Sequence, residues 1–136
     1  MCSVYFDGIS TLPPYSMEDL VRYCQDEHLP LIVGCDSNAH HTVWRSTNTN
    51  RRGEELLEYL VSTDLEILNR ENKPTFCTVV RREVLDLTIC SRQIVSEIMD
   101  WRVSNEPSLS DHRQIIFKLD KIRPKMTCMR NPKRTD

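Results

Sequence analysis

Apolar strands that alternate with amphipathic helices constrain the fold of this 136-residue chain more than any other feature of its sequence. Residues 31–33 (Leu-Ile-Val) are continuously apolar, as in a strand that is buried on both faces of a sheet. Amphipathic helical patterns precede and follow this strand along the chain. Because such strands need helices to cover them, the sequence predicts a layered α/β domain.

Two helices are predicted from the spacing of apolar residues. The first is placed at 16–28, with Ser16 as its N-cap, because apolar residues recur there every three or four positions. The second is placed at 51–63. The apolar face expected for the second helix consists of Leu56, Leu57, Leu60 and Val61.

Further strands are predicted at 2–6, 65–68, 98–103 and 114–119. A hairpin is predicted between 76–80 and 84–90, joined by the charged residues 81–83. The polar segment 36–50 is too long for a simple turn, so we treat it as a candidate functional loop.

The composition fits one globular domain, but the charge is unevenly distributed. Residues 1–120 hold 12 Lys and Arg against 19 Asp and Glu, whereas 121–136 hold six basic residues and one acidic residue. An acidic body is not expected to grip nucleic acid over its whole surface, although a local site could bind phosphate through metal ions. We interpret 121–136 as a basic linker or tail.

The sequence also indicates the cellular compartment. No basic region followed by an apolar stretch occurs near Met1, and no window approaches the roughly 18 apolar residues of a membrane span. We therefore expect an intracellular chain whose cysteines are reduced and mostly buried. The six cysteines, which include no C-x-x-C pair, are Cys2, Cys24, Cys35, Cys77, Cys90 and Cys128.

The first candidate site directly follows the apolar strand, in the sequence Gly-Cys-Asp-Ser-Asn-Ala-His-His. Asp36 and Asn38 lie two residues apart at the C-terminal end of this strand, where open α/β sheets present ligands. Asp36 could bind a hard cation or orient a water molecule, and Asn38 could donate to an anionic oxygen. Two alternatives stay open: a structural Asx-turn, and a transition-metal site formed by Cys35, His40 and His41.

A second polar cluster, formed by Ser110, Asp111 and His112, precedes another apolar strand. Asp111 is a candidate metal ligand, and His112 is a candidate base or phosphate-contacting group. Asp86 lies within the apolar sequence Val-Leu-Asp-Leu-Thr-Ile, where a carboxylate without a partner would be costly. We expect an Asp86–His112 pair that fixes the imidazole tautomer and favours its protonated form. The alternative is an Asp86 exposed on an edge strand.

Taken in order, these motifs resemble the endonuclease/exonuclease/phosphatase superfamily, in the apurinic-endonuclease-like form carried by non-LTR retrotransposons. The resemblance covers roughly residues 2–119. It implies an α/β fold that is part of a four-layer α/β-sandwich, in which two mixed sheets are flanked by helices. The matching motifs are Tyr5-Phe6, Gly34 to His41, Trp44, Asn50 to Gly53, Pro74-Thr75-Phe76, Leu85 to Thr88, Trp101 and Ser110-Asp111-His112.

The resemblance implies roles for individual residues. Asp36 and Asn38 would position the attacking water and contact the scissile phosphate. Asp111 and Asp36 would hold Mg²⁺, or Mn²⁺ in its place. His112, oriented by Asp86, would stabilise the charge that develops on the phosphate.

The motifs of this superfamily include residues N-terminal to those that match this sequence. Tyr5 matches the active-site tyrosine at the end of its strand, but the family's N-terminal half, with an Asn and a metal-binding Glu, is missing. We therefore expect residues 1–120 to be the C-terminal part of an endonuclease domain, truncated and either weakly active or inactive. Residues 121–136 would form the linker toward a reverse transcriptase.

The function expected from the resemblance is metal-dependent hydrolysis of phosphodiesters by a DNA-nicking endonuclease domain of a non-LTR retrotransposon polyprotein. Its partners would be DNA and the reverse transcriptase region of the same polyprotein, in the nucleus, with no membrane partner. One alternative is a non-catalytic module, derived from such a domain, that binds nucleic acid or protein. Within the superfamily, the alternatives are a phosphatase and an abasic-site repair nuclease.

Overall fold

The computed structural model describes residues 1–120, which form two α-helices, eight β-strands and two 3₁₀ segments. The interpretation of 121–136 as a basic linker lies outside these described residues. The elements are β1 (Cys2–Tyr5), α1 (Tyr15–Asp26), β2 (Ile32–Asp36), α2 (Arg51–Ser62), β3 (Leu65–Ile67), β4 (Phe76–Cys77), β5 (Arg82–Glu83), β6 (Asp86–Ser91), β7 (Ile98–Val103) and β8 (Ile115–Leu119), with 3₁₀ segments at Thr42–Trp44 and Arg92–Glu97.

A four-stranded sheet in the order β1-β2-β6-β3 is the largest sheet within residues 1–120. β1 runs parallel to β2, whereas β6 runs antiparallel to both β2 and β3. The register places Tyr5 beside Asp36, and Asp36 beside Asp86. Three residues singled out from the sequence therefore lie side by side at one end of neighbouring strands.

The two described helices cover one face of this sheet. Because side chains alternate along a strand, every second residue of β2 and β6 faces the helices. Each helix has 12 residues, and within the described part of the chain no helix is long and apolar enough to cross a membrane. The buried cluster on this face includes Met17, Val21, Leu56 and Leu60 from the helices and Val33, Cys35, Leu87 and Ile89 from the sheet.

The antiparallel pair formed by β7 and β8 packs on the other face. The indole N–H of Trp101 donates to Thr88 Oγ1 at 3.0 Å and attaches β7 to the central sheet. The predicted α/β class is confirmed, while the four-layer arrangement stays a prediction. The second buried cluster consists of Ile32, Leu68, Cys90, Ile94, Ile98, Trp101 and Val103.

The predicted hairpin between 76–80 and 84–90 is wrong. β4 pairs with β5, and β6 enters the central sheet between β2 and β3. The hydroxyl of Thr75 accepts hydrogen bonds from the N–H groups of Leu85 and Asp86, at 3.0 and 2.9 Å, where the chain turns into β6. β6 buries four consecutive residues between β2 and β3, whereas a two-stranded hairpin with 76–80 would leave them partly exposed to water.

Two details of the helix predictions are also wrong. α1 begins at Tyr15 with no side-chain cap, whereas Ser16 was expected to cap it. Pro14 precedes the helix with φ at −61°, and its carbonyl accepts the N–H of Met17 at 3.0 Å, so the proline starts the helix. On α2, Val61 is 73% exposed and lies outside the buried face.

The cysteines of residues 1–120 mostly serve as small apolar residues. Cys24, Cys35 and Cys90 are buried, and Cys2 and Cys77 are half-buried. Burial of the three confirms the expected packing role. The remaining cysteine, at position 128, falls outside the described residues.

Candidate active site

Three side chains singled out from the sequence meet at one end of the central sheet. His112 Nδ1 lies 2.8 and 3.1 Å from the two carboxylate oxygens of Asp86, and His112 Nε2 lies 3.7 Å from Asp36 Oδ2. Potential ligand atoms of all three residues lie within 4.8 Å of one another. All three side chains are half-buried, so the cluster is accessible but partly removed from water.

The strand ends explain why these residues meet. Asp36 is the last residue of β2 and Asp86 is the first residue of β6, and the two are partners in the antiparallel ladder. His112 lies on a segment that pairs with the β4 hairpin, through the bonds from Cys77 N–H to Asp111 O and from Arg113 N–H to Thr75 O. The imidazole is thereby held over the pair of carboxylates.

Sequence reasoning missed two buried side chains that hold Asp86 in place. The amide of Asn69 donates to the carbonyl of Asp86 and accepts the N–H of Thr88, both at 2.9 Å. Thr75, which is fully buried, accepts the N–H of Asp86 at 2.9 Å. In the sequence, Thr75 stands out only as part of the motif Pro74-Thr75-Phe76. Asn69 carried one usable signal, a polar residue directly after an apolar strand.

Burial and charge act in opposite directions on His112. Desolvation lowers the pKa of His112, but the hydrogen bond to Asp86 and the charges of Asp86, Asp36 and Asp111 outweigh it. The pKa of the imidazole is therefore raised above its usual 6.5. The pKa of Asp36 is also raised, because its carboxyl is buried beside the charge of Asp86. The site combines a readily protonated imidazole with a carboxylate that is easier to protonate than usual.

We expect an NMR titration of the metal-free protein to place the pKa of His112 above 6.5. Asp86→Asn should lower that pKa more than Asp111→Asn, because the hydrogen bond and the nearest charge belong to Asp86. Since the folded pKa exceeds the unfolded one, the contribution of His112 to stability is complete below pH 6.5 and disappears as pH rises through the folded pKa. A titration unchanged by Asp86→Asn would contradict the pairing.

Asn38 is tied to both neighbouring strands. Its side-chain amide donates to the carbonyl of Phe6 at 2.7 Å, and its backbone N–H lies 3.3 Å from Asp36 Oδ1. The contact between the Asn38 N–H and Asp36 Oδ1 is that of an Asx-turn, the structural alternative considered from the sequence. Asp36 makes this contact and is also a member of the cluster with Asp86 and His112. The backbone of Asn38 is left-handed, with φ at 45°, a conformation that Asn tolerates better than most residues.

The structure places Tyr5 and Asp111 at the margins of the site. Tyr5 is 67% exposed at the end of β1, and with Asp36 and Asp86 it lines a groove of about 320 Å³. Asp111 is exposed next to His112, and its carboxylate is not among the grouped ligand atoms of residues 1–120.

The alternative transition-metal site is not assembled by the described residues. Cys35 is buried in the core, and desolvation raises the pKa of its thiol. His40 bonds to Asn48 at 2.7 Å, and His41 Nδ1 accepts the N–H of Val43 at 3.0 Å. Within residues 1–120 the one group with metal-ligand spacing is Asp36, Asp86 and His112.

The loop after β2 packs closely on the start of α2. Asn50 caps the helix by accepting the N–H of Gly53 at 2.8 Å, and it also accepts the N–H of His40 at 3.1 Å. A Cβ atom at Gly53 would lie 1.8 Å from the carbonyl oxygen of His40. Only glycine allows this approach, so Gly53 fixes the distance between the helix and the loop.

Gly53→Ala is therefore expected to lower the free energy of unfolding by about 1–3 kcal/mol, because helix and loop must separate to admit the methyl group. Denaturant unfolding measures the loss. Gly8→Ala is the matched control, since a Cβ there meets nothing within 4 Å. Equal stability of the two variants would contradict the close approach at Gly53.

Comparison with known proteins identifies related sequences and structures. Residues 1–116 match the family model described as endonuclease-reverse transcriptase. The endonuclease domain of TRAS1, a telomere-specific non-LTR retrotransposon, is similar in structure, with a TM-score of 0.74 and 28% sequence identity. The match covers 88% of this chain but 56% of the TRAS1 chain, so this chain spans little more than half of that domain structure. A search of curated protein sequences gives no significant match.

Proposed function

Because the chain belongs to the endonuclease-reverse transcriptase family, we propose that it is part of a DNA-nicking endonuclease domain of a non-LTR retrotransposon polyprotein. The observation that carries this proposal is the Asp36–Asp86–His112 cluster at the end of the central sheet. The cluster supplies carboxylates and an imidazole, the groups that metal-assisted phosphodiester hydrolysis requires.

The residues present fit a hard divalent cation. Asp36 and Asp86 are neighbours across a strand pair, and the charge of Asp86 helps to raise the pKa of Asp36. A cation beside Asp36 would relieve this repulsion, and carboxylate oxygens are the ligands that Mg²⁺ prefers. Asp36 would hold the ion directly, while the exposed Asp111 would contribute through its charge. Bound Mg²⁺ would polarise the phosphate and lower the pKa of a water molecule that it binds.

His112 acts on the phosphate in this mechanism. The pKa of its imidazole is raised above that of a free histidine, which favours the charged form, and the bond from Nδ1–H to Asp86 leaves Nε2–H free to donate. A donor fixed in this way stabilises negative charge on the phosphoryl oxygens as the water attacks. Asp86 is therefore a positioning residue that sets the tautomer and charge of His112.

The remaining residues bind and orient the substrate. One amide hydrogen of Asn38 bonds to Phe6, so the second hydrogen is available for a phosphate oxygen. Asp36, at the end of β2, would also orient the attacking water. Tyr5, exposed on the adjoining groove, would contact the DNA backbone.

We propose that the 136-residue chain nicks DNA slowly. Because Asp86 is already bonded to His112, Asp36 is the one carboxylate of the cluster left to hold Mg²⁺ directly, and a single carboxylate leaves the ion more hydrated and less fixed than a larger ligand set would. The domain assignment is part of the same proposal: residues 1–120 belong to the endonuclease, and the basic residues 121–136 link it to a reverse transcriptase region. Nuclear action on DNA follows from that role.

A substrate comparison tests the proposed reaction against its closest rivals. With Mg²⁺, the protein is offered supercoiled plasmid, an abasic oligonucleotide duplex and p-nitrophenyl phosphate. We expect conversion of supercoiled plasmid to open circles without preference for the abasic site. Faster hydrolysis of the phosphomonoester would identify a phosphatase, and cleavage only at the abasic site would identify a repair nuclease.

A further inference from the structure

Arg52 joins the two loops that leave the sheet at the candidate active site. Its guanidinium donates to the carbonyl of Asn38 at 3.2 Å, to the carbonyl of Ser10 at 2.6 Å and to the carbonyl of Asp7 at 2.5 Å. We propose that Arg52 is a positioning residue that holds Asn38 in its reactive orientation. This inference rests on the function proposed above.

The topology explains why one side chain reaches both loops. β1 and β2 are parallel neighbours, so the loops that follow them leave the sheet at the same end. The loop after β1 carries Asp7 and Ser10, and the loop after β2 carries Asn38. The bond from the Asn38 amide to the Phe6 carbonyl is a second connection between the same two loops. Arg52 therefore reinforces a junction that already includes a candidate catalytic residue.

The shape of the arginine side chain suits this junction. A guanidinium presents five N–H groups in a fixed plane, whereas a lysine ammonium is a compact group on a flexible stem. Arg52 uses three different nitrogens, one for each carbonyl. It lies half-buried in the first turn of α2, next to Gly53, whose close approach to His40 sets the distance to the loop.

Loss of Arg52 would release the junction without touching the carboxylate cluster. Three carbonyl groups would lose their donor. Asn38, which holds a left-handed backbone, would keep its side-chain bond to Phe6 and its backbone contact with Asp36 but would lose the bond that ties its carbonyl to α2. Misplacement of a reacting group by about 1 Å costs about 10²-fold in rate. We therefore expect kcat to fall far more than KM rises.

Arg51 provides the matched control. It is the preceding residue of the same helix, it carries the same charge, and its guanidinium is 90% exposed and paired only with Glu55 among the described residues. Arg52→Ala should lower kcat for plasmid nicking by about 10²-fold, with KM changed less than threefold, whereas Arg51→Ala should change neither by more than twofold. Arg52→Lys should recover part of the loss.

A second readout does not depend on nicking. The side-chain amide proton of Asn38 that bonds to the Phe6 carbonyl should exchange slowly with solvent in the wild-type protein and in Arg51→Ala, and at least tenfold faster in Arg52→Ala. Unchanged exchange in Arg52→Ala, or an equal loss of kcat in Arg51→Ala, overturns the proposal. A wild-type protein that never nicks DNA, but shows Arg52-dependent protection of Asn38, supports the positioning role and places the failure in the proposed function.

Discussion

Replacement of His112 by alanine is expected to slow DNA nicking by about 10²–10³-fold, the usual cost of removing one donor that stabilises a transition state. The loss arises because the imidazole, held by Asp86 at 2.8 Å, is the cationic donor of the cluster. The rate is measured under single-turnover conditions, with protein in excess over supercoiled plasmid, so that slow cleavage by the wild-type chain is resolved.

The control for this variant is His28→Asn. His28 is exposed and lines a different cavity beside Ser91, at the opposite end of β6 from Asp86. Asparagine accepts the left-handed backbone at this position, where φ is 55°. The control should nick at the wild-type rate. Equal rates for His112→Ala and the wild type would remove His112 from the mechanism.

Asp36→Ala is expected to cause the largest loss of divalent-cation binding. Asp86 is hydrogen-bonded to His112 at 2.8 Å, whereas Asp36 lies 3.7 Å from the imidazole. The carboxylate of Asp36 is therefore the one in this cluster that is available to bind the cation. Loss of an outer-shell partner typically costs 10–100-fold in metal affinity, and loss of a direct ligand should cost at least about as much. Titration with Mn²⁺, followed by paramagnetic relaxation, measures the affinity without DNA.

Asp111→Ala separates a direct ligand from a nearby charge. Its carboxylate is exposed and outside the group formed by Asp36, Asp86 and His112. We therefore expect a smaller loss of Mn²⁺ affinity than in Asp36→Ala. An equal loss would make Asp111 a direct ligand, and unchanged affinity in Asp36→Ala would contradict the metal site proposed here.

The contact between Asp86 and His112 could be predicted from the sequence because burial leaves a carboxylate few choices. An ionised side chain within an apolar strand needs a donor, and His112 was a suitable partner. Asp36 could be placed for a similar reason, since it ends a buried strand. The need of a buried carboxylate for a donor, and the position of a residue at the end of an apolar strand, both depend on the residue and its close neighbours along the chain. Both can therefore be read from the sequence.

The pairing of β6 could not be predicted in the same way. Its partners, β2 and β3, lie about 20 to 50 residues away along the chain, whereas the hairpin partner lies next to it. The local sequence pattern therefore favoured a hairpin between 76–80 and 84–90. The choice of β2 and β3 depends on the total area buried by the assembled sheet, which local periodicity does not contain.

The side chains that support the candidate site could not be predicted from the sequence, for a different reason. Asn69, Thr75 and Arg52 act by bonding to backbone groups, and any polar residue has this capacity. Which backbone groups come within reach depends on the approach of distant segments. Arg52 is one of two adjacent arginines, and only the fold shows that it contacts two loops while Arg51 faces solvent.

The most direct test of the proposed endonuclease is single-turnover nicking of supercoiled plasmid by the wild-type chain in Mg²⁺, compared with the same reaction in EDTA. We predict slow formation of open circles in Mg²⁺ and none in EDTA. Salt-dependent DNA binding without cleavage, at any protein concentration and with either Mg²⁺ or Mn²⁺, would contradict the account and identify a non-catalytic binding module.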